Sequence, residues 1–159
     1  MRSANLLLAT LLLATSGLLQ AGEPMTIEAD SATLDDRRGV SLYRDNVVVV
    51  RGDLTLHADE VTVHHEQRQL DRVVARGRPA RMHQRPAQGE ATDGEGRHIT
   101  WFAENEVIHL EQQARLTRGD DLFTGERIVY ETTTQIVRAD GQGGRVRAVI
   151  QSRERGTAE

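Results

Sequence analysis

Three histidines, His57, His64 and His65, stand close enough in the chain to suggest a metal site. Adjacent residues on a strand point to opposite faces, so His64 and His65 do not converge on one ion. Three carboxylates, Asp30, Asp59 and Glu126, recur at equivalent points of a repeated pattern. Acid–base chemistry needs two carboxyls converging in one cleft, whereas acids on successive turns are spread along the molecule. They read instead as corner acceptors for backbone N–H groups. The tripeptide Arg-Gly-Asp occurs twice, as Arg51-Gly52-Asp53 and Arg118-Gly119-Asp120. Both copies occupy the same turn of the repeat, where Gly supplies a positive φ and Asp bonds local backbone, so turn chemistry accounts for them. No glycine-rich phosphate loop, nucleophile elbow or metalloprotease signature is present in the sequence. What recurs is apolar spacing and turns, which favours a binding surface over a reactive centre.

The elements that carry these residues are repeated. Asp30 to Asp59 lies over Arg97 to Glu126 at an offset of 67 without gaps, so that Ala32-Thr33-Leu34 falls on Ile99-Thr100-Trp101. Each half holds a weaker echo at 29 residues, Glu28 to Leu34 answering His57 to Val63. Units this short cannot bury an apolar face alone, so stacked copies share one core.

From Met25 to Ile150 the chain alternates apolar with polar residues, the period of a strand, as in Met25-Thr26-Ile27 and Ile128-Val129-Tyr130. Val47 to Val50 is a β-branched run, and turn residues punctuate the pattern at Asp35 to Gly39, Gly77-Arg78-Pro79 and Gly141 to Gly144. Short strands at such spacing predict an all-β fold. Leu54, Leu56 and Ala58 share one face, yet Val61 and Val63 lie an odd number of positions away. The alternation changes phase at Ala58-Asp59 and again at Gly125-Glu126, which requires a bulge or sharp corner. Corners at the same point of each repeat fold a meandering antiparallel sheet into two facing layers, a single folded-over roll. The segment Gln84 to Gly96, rich in Gly, Pro and acids, reads as a surface loop at the join between the halves.

Composition narrows the classes further. Residues 1–21 carry Arg2, the apolar stretch Leu6 to Leu13 and small residues up to Ala21, the layout of a cleaved secretory signal peptide. Residues 22–151 then form one domain, and the polar tail 152–159 reads as disordered. The chain has no cysteine, so disulfides and cysteine-type zinc are excluded. A net charge of −4 with interleaved signs argues against nucleic-acid binding. Arg72, Arg76, Arg78, Arg81 and Arg85 read as a solvated face, the alternative being contact with anionic lipid phosphates.

The inner face of such a roll collects Met25, Ile27, Leu34, Tyr43, Val49, Leu56, Val61, Val63, Met82, Ile99, Trp101, Leu110, Leu116, Phe123, Ile128 and Tyr130. Two readings are open: a dry core, or layers that gape to leave a groove for an apolar ligand. Only 3% of residues are aromatic, a modest side-chain volume for filling a wide roll.

Several runs carry a resemblance: Pro24 to Asp30, Arg38-Gly39-Val40, Asp45 to Val49, Leu56 to Asp59, Gly77 to Met82, Gly94 to Trp101, Leu122 to Glu126 and Gly144 to Arg147. Taken in order, they resemble the OstA family of periplasmic lipopolysaccharide-transport proteins. Asp45 stands where that family usually has Gly, and Glu95-Gly96 replaces a run usually ending in Ala. The resemblance implies a twisted β-jelly-roll, open along one side, whose interior holds the acyl chains of lipid A and whose residues above line the groove. The absence of catalytic signatures noted above leads to the expectation of no enzymatic activity and no cofactor. The resemblance also implies end-to-end homo-oligomers in the periplasm, joining an inner-membrane LptC-like protein to an outer-membrane LptD-like protein. A lipid with on the order of 40 methylenes, at ~0.8 kcal/mol each, would cost ~30 kcal/mol to expose to water, so a carrier must keep them covered. The terminal strands, with Pro24, Met25, Thr26 and Ile27 at one edge and Val146, Arg147, Ala148, Val149 and Ile150 at the other, are the expected partner contacts through strand addition. A membrane-anchored LptC-like sister component and a structural scaffold with a dry core are the alternative readings.

Overall fold

The computed structural model describes residues 23–151, so the expected signal segment and the tail at 152–159 lie outside the described residues. Among the described residues ten antiparallel strands form a single sheet: β1 (Met25–Glu28), β2 (Ser31–Asp35), β3 (Val40–Arg51), β4 (Leu54–Glu66), β5 (Gln69–Gln84), β6 (Thr92–Phe102), β7 (Val107–Arg118), β8 (Asp121–Glu131), β9 (Ile136–Asp140) and β10 (Arg147–Val149). The order is β1-β3-β4-β5-β6-β7-β8-β10, with β2 also on β3 and β9 also on β8. Each end of the sheet is therefore a split edge of two short strands.

The phase changes read from the sequence are corners. Pairing slips between Arg44 and Val47 in β3, His57 and Glu60 in β4, Arg76 and Ala80 in β5, Glu95 and His98 in β6, and Glu111 and Ala114 in β7. The last of these slips leaves Glu126 unpaired between Gly125 and Arg127. Bulges bend strands, and five in register bend the whole sheet. The backbone bears the 67-residue repeat: positive φ occurs at Gly39 and Glu106, Asp45 and Gln112, Asn46 and Gln113, Gly52 and Gly119, and Arg68 and Gln135, each pair 67 apart.

The bend produces two layers. The first holds β1, β10 and the segments 47–51, 54–57, 80–84, 92–96, 114–118 and 121–125. The second holds β2, β9 and 40–44, 60–66, 69–76, 98–102, 107–111 and 127–131. Directly opposed residues share a face, so the inner surface is a set of rows. Beside the corners of the first layer run small residues, with Val47 opposite Ala58, Ala80 opposite Gly96 and Ala114 opposite Gly125. The next row is Ile27, Val49, Leu56, Met82, Gly94, Leu116, Phe123 and Ala148. Small side chains at the fold line and larger ones beyond it fit a wedge.

The expected loop is shorter than the sequence suggested. β5 runs through Gln84 and β6 begins at Thr92, so Thr92 to Gly96 is strand. Gly94 is there for close approach: a Cβ built on it would lie 2.6 Å from Leu110 Cδ2, in the opposite layer, and 2.8 Å from Met82 Cγ.

Candidate functional site: the apolar interior and its seam

Fifteen of the sixteen proposed groove residues belong to the hydrophobic core or pack against it, Leu34 being the exception. The central ones, Val49, Leu56, Val61, Val63, Met82, Ile99, Trp101, Leu110, Leu116, Ile128 and Tyr130, are at most 3% exposed. The expected gape between the layers is thus closed, and the interior is packed. Met25, Ile27, Tyr43 and Phe123 are half-buried, as are Val137 and Ala139. These six lie on β1, β3, β8 and β9, so the apolar interior is uncovered at its two ends. Sequence reasoning missed Val47, Leu54, Val73, Ala75, Ala80, Ile108 and Ala114, all buried. For five of them the signal was present, since Val47, Leu54, Ala80, Ile108 and Ala114 each lie two positions from an assigned neighbour on the same strand, whereas Val73 and Ala75 alternate only with each other.

Leu34 is corrected. It pairs with Ser41 and Ala32 pairs with Tyr43, so Leu34 faces inward, but it is 64% exposed. The first layer does not reach it there. Leu34, Ser41, Tyr43 and His65 instead line a concavity of about 920 Å³ at the β2 end of the roll, with the 35–40 and 66–68 turns around it.

Opposite the corners, the free rims of the two layers meet along a seam. The rim row of the first layer is Met25, Arg51, Leu54, Gln84, Thr92, Arg118 and Asp121. Arg51 Nη1 donates to Glu106 Oε1 at 2.8 Å, and Trp101 Nε1 donates to Glu106 Oε2 at 3.0 Å. The Arg51 guanidinium lies 4.6 Å from the Trp101 ring centroid, a cation–π contact. Tyr130 Oη donates to Gln84 Oε1 at 2.8 Å, while Gln84 Nε2 donates to Asp53 at 3.2 Å. Arg118 Nη1 donates to the Gln135 carbonyl at 2.6 Å. The Arg-Gly-Asp turns therefore do more than the local reading allowed. Gly52 and Gly119 take φ 55° as expected, but both arginines cross the seam and the Asp53 carboxylate holds a side chain rather than local backbone.

The corner acids also differ from expectation. Asp30 accepts from Asn46 Nδ2 at 2.7 Å, and Asp59 pairs with Arg78 at 3.5 Å, so they tie neighbouring corners together through side chains. Outside, Arg72, Arg76, Arg78, Arg81 and Arg85 each pair with a carboxylate, Asp71, Glu60, Asp59, Glu95 and Asp93 respectively. They form a solvated, charge-balanced face. On that face burial and the neighbouring Arg127 hold the His109 imidazole below its usual pKa, with Arg127 Nη2 3.1 Å from Nδ1. For Asp93, hydrogen bonds from His83 and Arg85 outweigh the upward push of burial and keep the carboxyl low.

The expected edge strands are at the two ends of the sheet. β1 spans Met25, Thr26 and Ile27 with Pro24 just before it, and β10 spans Arg147, Ala148 and Val149. Val146 and Ile150 flank β10 rather than extend it, and both are exposed, at 44% and 61%.

This architecture matches known proteins. Residues 26–136 match the family described as "LptA/(LptD N-terminal domain) LPS transport protein". The lipopolysaccharide export system protein LptH of Pseudomonas aeruginosa is 37% identical over 119 residues, 74% of this chain and 68% of that protein. The export system protein LptA of Haemophilus influenzae is 29% identical over 153 residues, 91% of this chain and 89% of that protein. A crystal structure of LptH, the LptA-homologous periplasmic component of the P. aeruginosa lipopolysaccharide transport device, superposes with a TM-score of 0.76 at 35% identity, covering 82% of this chain and 96% of that one. An all-β folded roll, a repeat carried in the backbone and these matches agree: the chain belongs to the LptA/LptD N-terminal family of lipopolysaccharide transport proteins.

Proposed function

We propose that this protein is a periplasmic lipopolysaccharide carrier whose interior covers the acyl chains of lipid A during export. The observation that carries this reading is the uninterrupted apolar interior, half-exposed at both ends on Met25, Ile27 and Tyr43 and on Phe123, Val137 and Ala139. Hydrocarbon held there trades water for apolar contact without any directional bond, so the lipid can move between like interiors. The groove comprises the inward residues named above, with Leu34 at the mouth rather than in the closed part.

Both split edges suit end-to-end association. The outer sides of β1 and β10 are unpaired among the described residues, and strand addition between copies would satisfy both while joining their interiors. An LptC-like protein on the inner-membrane side and an LptD-like protein on the outer-membrane side would use the same edges.

Photo-crosslinking in cells tests the carrier reading. Benzoylphenylalanine at Tyr43 or Phe123, both half-buried aromatics, should capture lipopolysaccharide, whereas Leu122, which faces away from the interior beside Phe123, should not. Absence of lipid at both inner positions would favour the scaffold with a dry core. Mass measurement of the mature N-terminus separates a released carrier from an anchored sister component.

A further inference from the structure

The edges of the sheet are made of halves of elements that occur whole inside it. β1 and β2 pair with β3 as the two halves of β6 pair with β7. Ile27 on Val49 and Leu34 on Ser41 lie 67 residues before Gly94 on Leu116 and Trp101 on Ile108. β9 and β10 pair with β8 as the two halves of β5 pair with β4. Val137 on Tyr130 and Ala148 on Phe123 answer Val73 on Val63 and Met82 on Leu56. The join between the two halves of the repeat, β5 against β6, is therefore built from the same two pieces that end the molecule. Strand directions agree as well. β3 to β8 alternate, β10 runs against β8 and β1 runs against β3, so β10 of one copy is antiparallel to β1 of the next, as β5 is to β6.

Resting on the end-to-end reading, we infer that the β5–β6 pairing is the pattern of the junction between copies and fixes one register in both layers at once. Ala148 stands opposite Ile27 of the next copy, Arg147 opposite its Glu28, and Val137 opposite its Leu34. Side-chain chemistry fits each pair. Arg81 pairs with Glu95 at 3.7 Å across β5 and β6. Arg147 and Glu28 hold the corresponding places, both are exposed, and among the described residues neither is in an ion pair. Met82 faces Gly94, a large residue against the smallest, while Ala148 facing Ile27 exchanges the sizes. Trp101, beside Val73, is 1% exposed, whereas Leu34 at the free edge is 64% exposed and borders the concavity of about 920 Å³. Val137 of the next copy supplies the missing neighbour. The exposed Val146 and Ile150 lie on the same side of the chain as Ala148 and fall opposite Ala29 and Met25 of that copy.

Registers two residues away keep the faces but fail at the corner. β1 ends at Glu28 and β2 begins at Ser31, while β9 ends at Asp140 and β10 begins at Arg147. The bend of one copy must meet the bend of the next, and a slip would leave only one layer paired.

The chain has no cysteine, so engineered pairs report without background. Within one copy six strands separate β1 from β10, on the order of 30 Å, so a disulfide between them joins copies. In the purified mature protein, Ile27→Cys with Ala148→Cys, and Leu34→Cys with Val137→Cys, should give disulfide-linked oligomers on mild oxidation. Directly opposed Cα atoms lie about 4.5–5.5 Å apart, within disulfide reach. Met25→Cys with Ala148→Cys, two residues out of register, should stay monomer-sized on a non-reducing gel. Charge exchange reads the junction without cysteines. Glu28→Arg alone and Arg147→Glu alone should each weaken self-association by roughly three- to ten-fold in analytical ultracentrifugation, and mixing the two variants should restore it. Linkage through Met25→Cys, linkage in one layer only, or a mixture no better than its components overturns the register and leaves end-to-end association standing. A native protein that stays monomeric at every concentration overturns that association, and the register with it.

Discussion

Gly94 and the facing Leu110 together report whether the ligand-free layers touch. The φ of Gly94 lies outside the left-handed region, so alanine fits the backbone there. In a gaping roll the added Cβ would meet only Met82, its cross-strand neighbour in the same layer, set against a gain of ~0.4–1 kcal/mol from the reduced freedom of the unfolded chain, and Leu110→Ala would bring no relief. In the closed structure the added Cβ meets Leu110 Cδ2 at 2.6 Å, Met82 Cγ at 2.8 Å and Met82 Sδ at 3.1 Å. No real Cβ tolerates the first two distances, so both side chains must leave their positions. Overpacking of this kind costs about 1–3 kcal/mol, which outweighs the gain in chain entropy. The expected net loss of ~1–2 kcal/mol corresponds to a melting temperature lower by about 4–8 °C for a domain of this size. Removing the obstacle completes the argument: Leu110→Ala alone should cost about 2–5 kcal/mol, and the double variant should be more stable than the sum predicts by ~1 kcal/mol, as for residues in contact. Urea unfolding of the four proteins at one pH measures all terms. A stabilised Gly94→Ala, or strict additivity with Leu110→Ala, would refute the closed packing.

Other expectations follow from particular sites. Gln112 takes φ 61° at a corner with its side chain exposed, so Gln112→Gly should stabilise by ~1 kcal/mol in thermal melts, and destabilisation would mean the corner backbone is not left-handed. Because burial and Arg127 hold His109 below the ordinary imidazole pKa, its neutral form is the one the fold favours. Its contribution is therefore present above pH ~6.5 and lost as pH falls below that value. His109→Gln should flatten the loss of stability between pH 7.5 and 5.5 in denaturant titrations. Deleting residues 145–159 removes β10 and the exposed Val146 and Ile150. It should leave the circular dichroism of the roll intact while abolishing end-to-end association, and an unchanged oligomer mass by light scattering would reject that edge.

Much of this was legible in the chain because strand periodicity reports faces. The phase change after Ala58 located a corner, and the offset of 67 carried it to Gly125-Glu126. Periodicity cannot report distance between layers, however, so a closed interior and a gaping one read alike. The same limit misplaced Leu34. Alternation puts it correctly on the inner face, but its exposure depends on where the opposite layer ends. Local turn chemistry concealed the arginines of the two Arg-Gly-Asp turns, since Gly and Asp explain the turn and leave Arg51 and Arg118 looking incidental. Gly94 misled for a related reason. Glycine weakens a strand signal, and only the facing Leu110 explains why a glycine is wanted in the middle of β6.

The central claim is that a closed apolar interior opens to hold hydrocarbon. Spin labels at Asn105, in the β6–β7 turn of the second layer, and Asp120, in the β7–β8 turn of the first, flank the seam on exposed positions. Pulsed dipolar spectroscopy of the purified protein should give one short distance without lipid and a longer one once lipopolysaccharide is bound stoichiometrically. An unchanged distance with the lipid demonstrably bound would contradict the account.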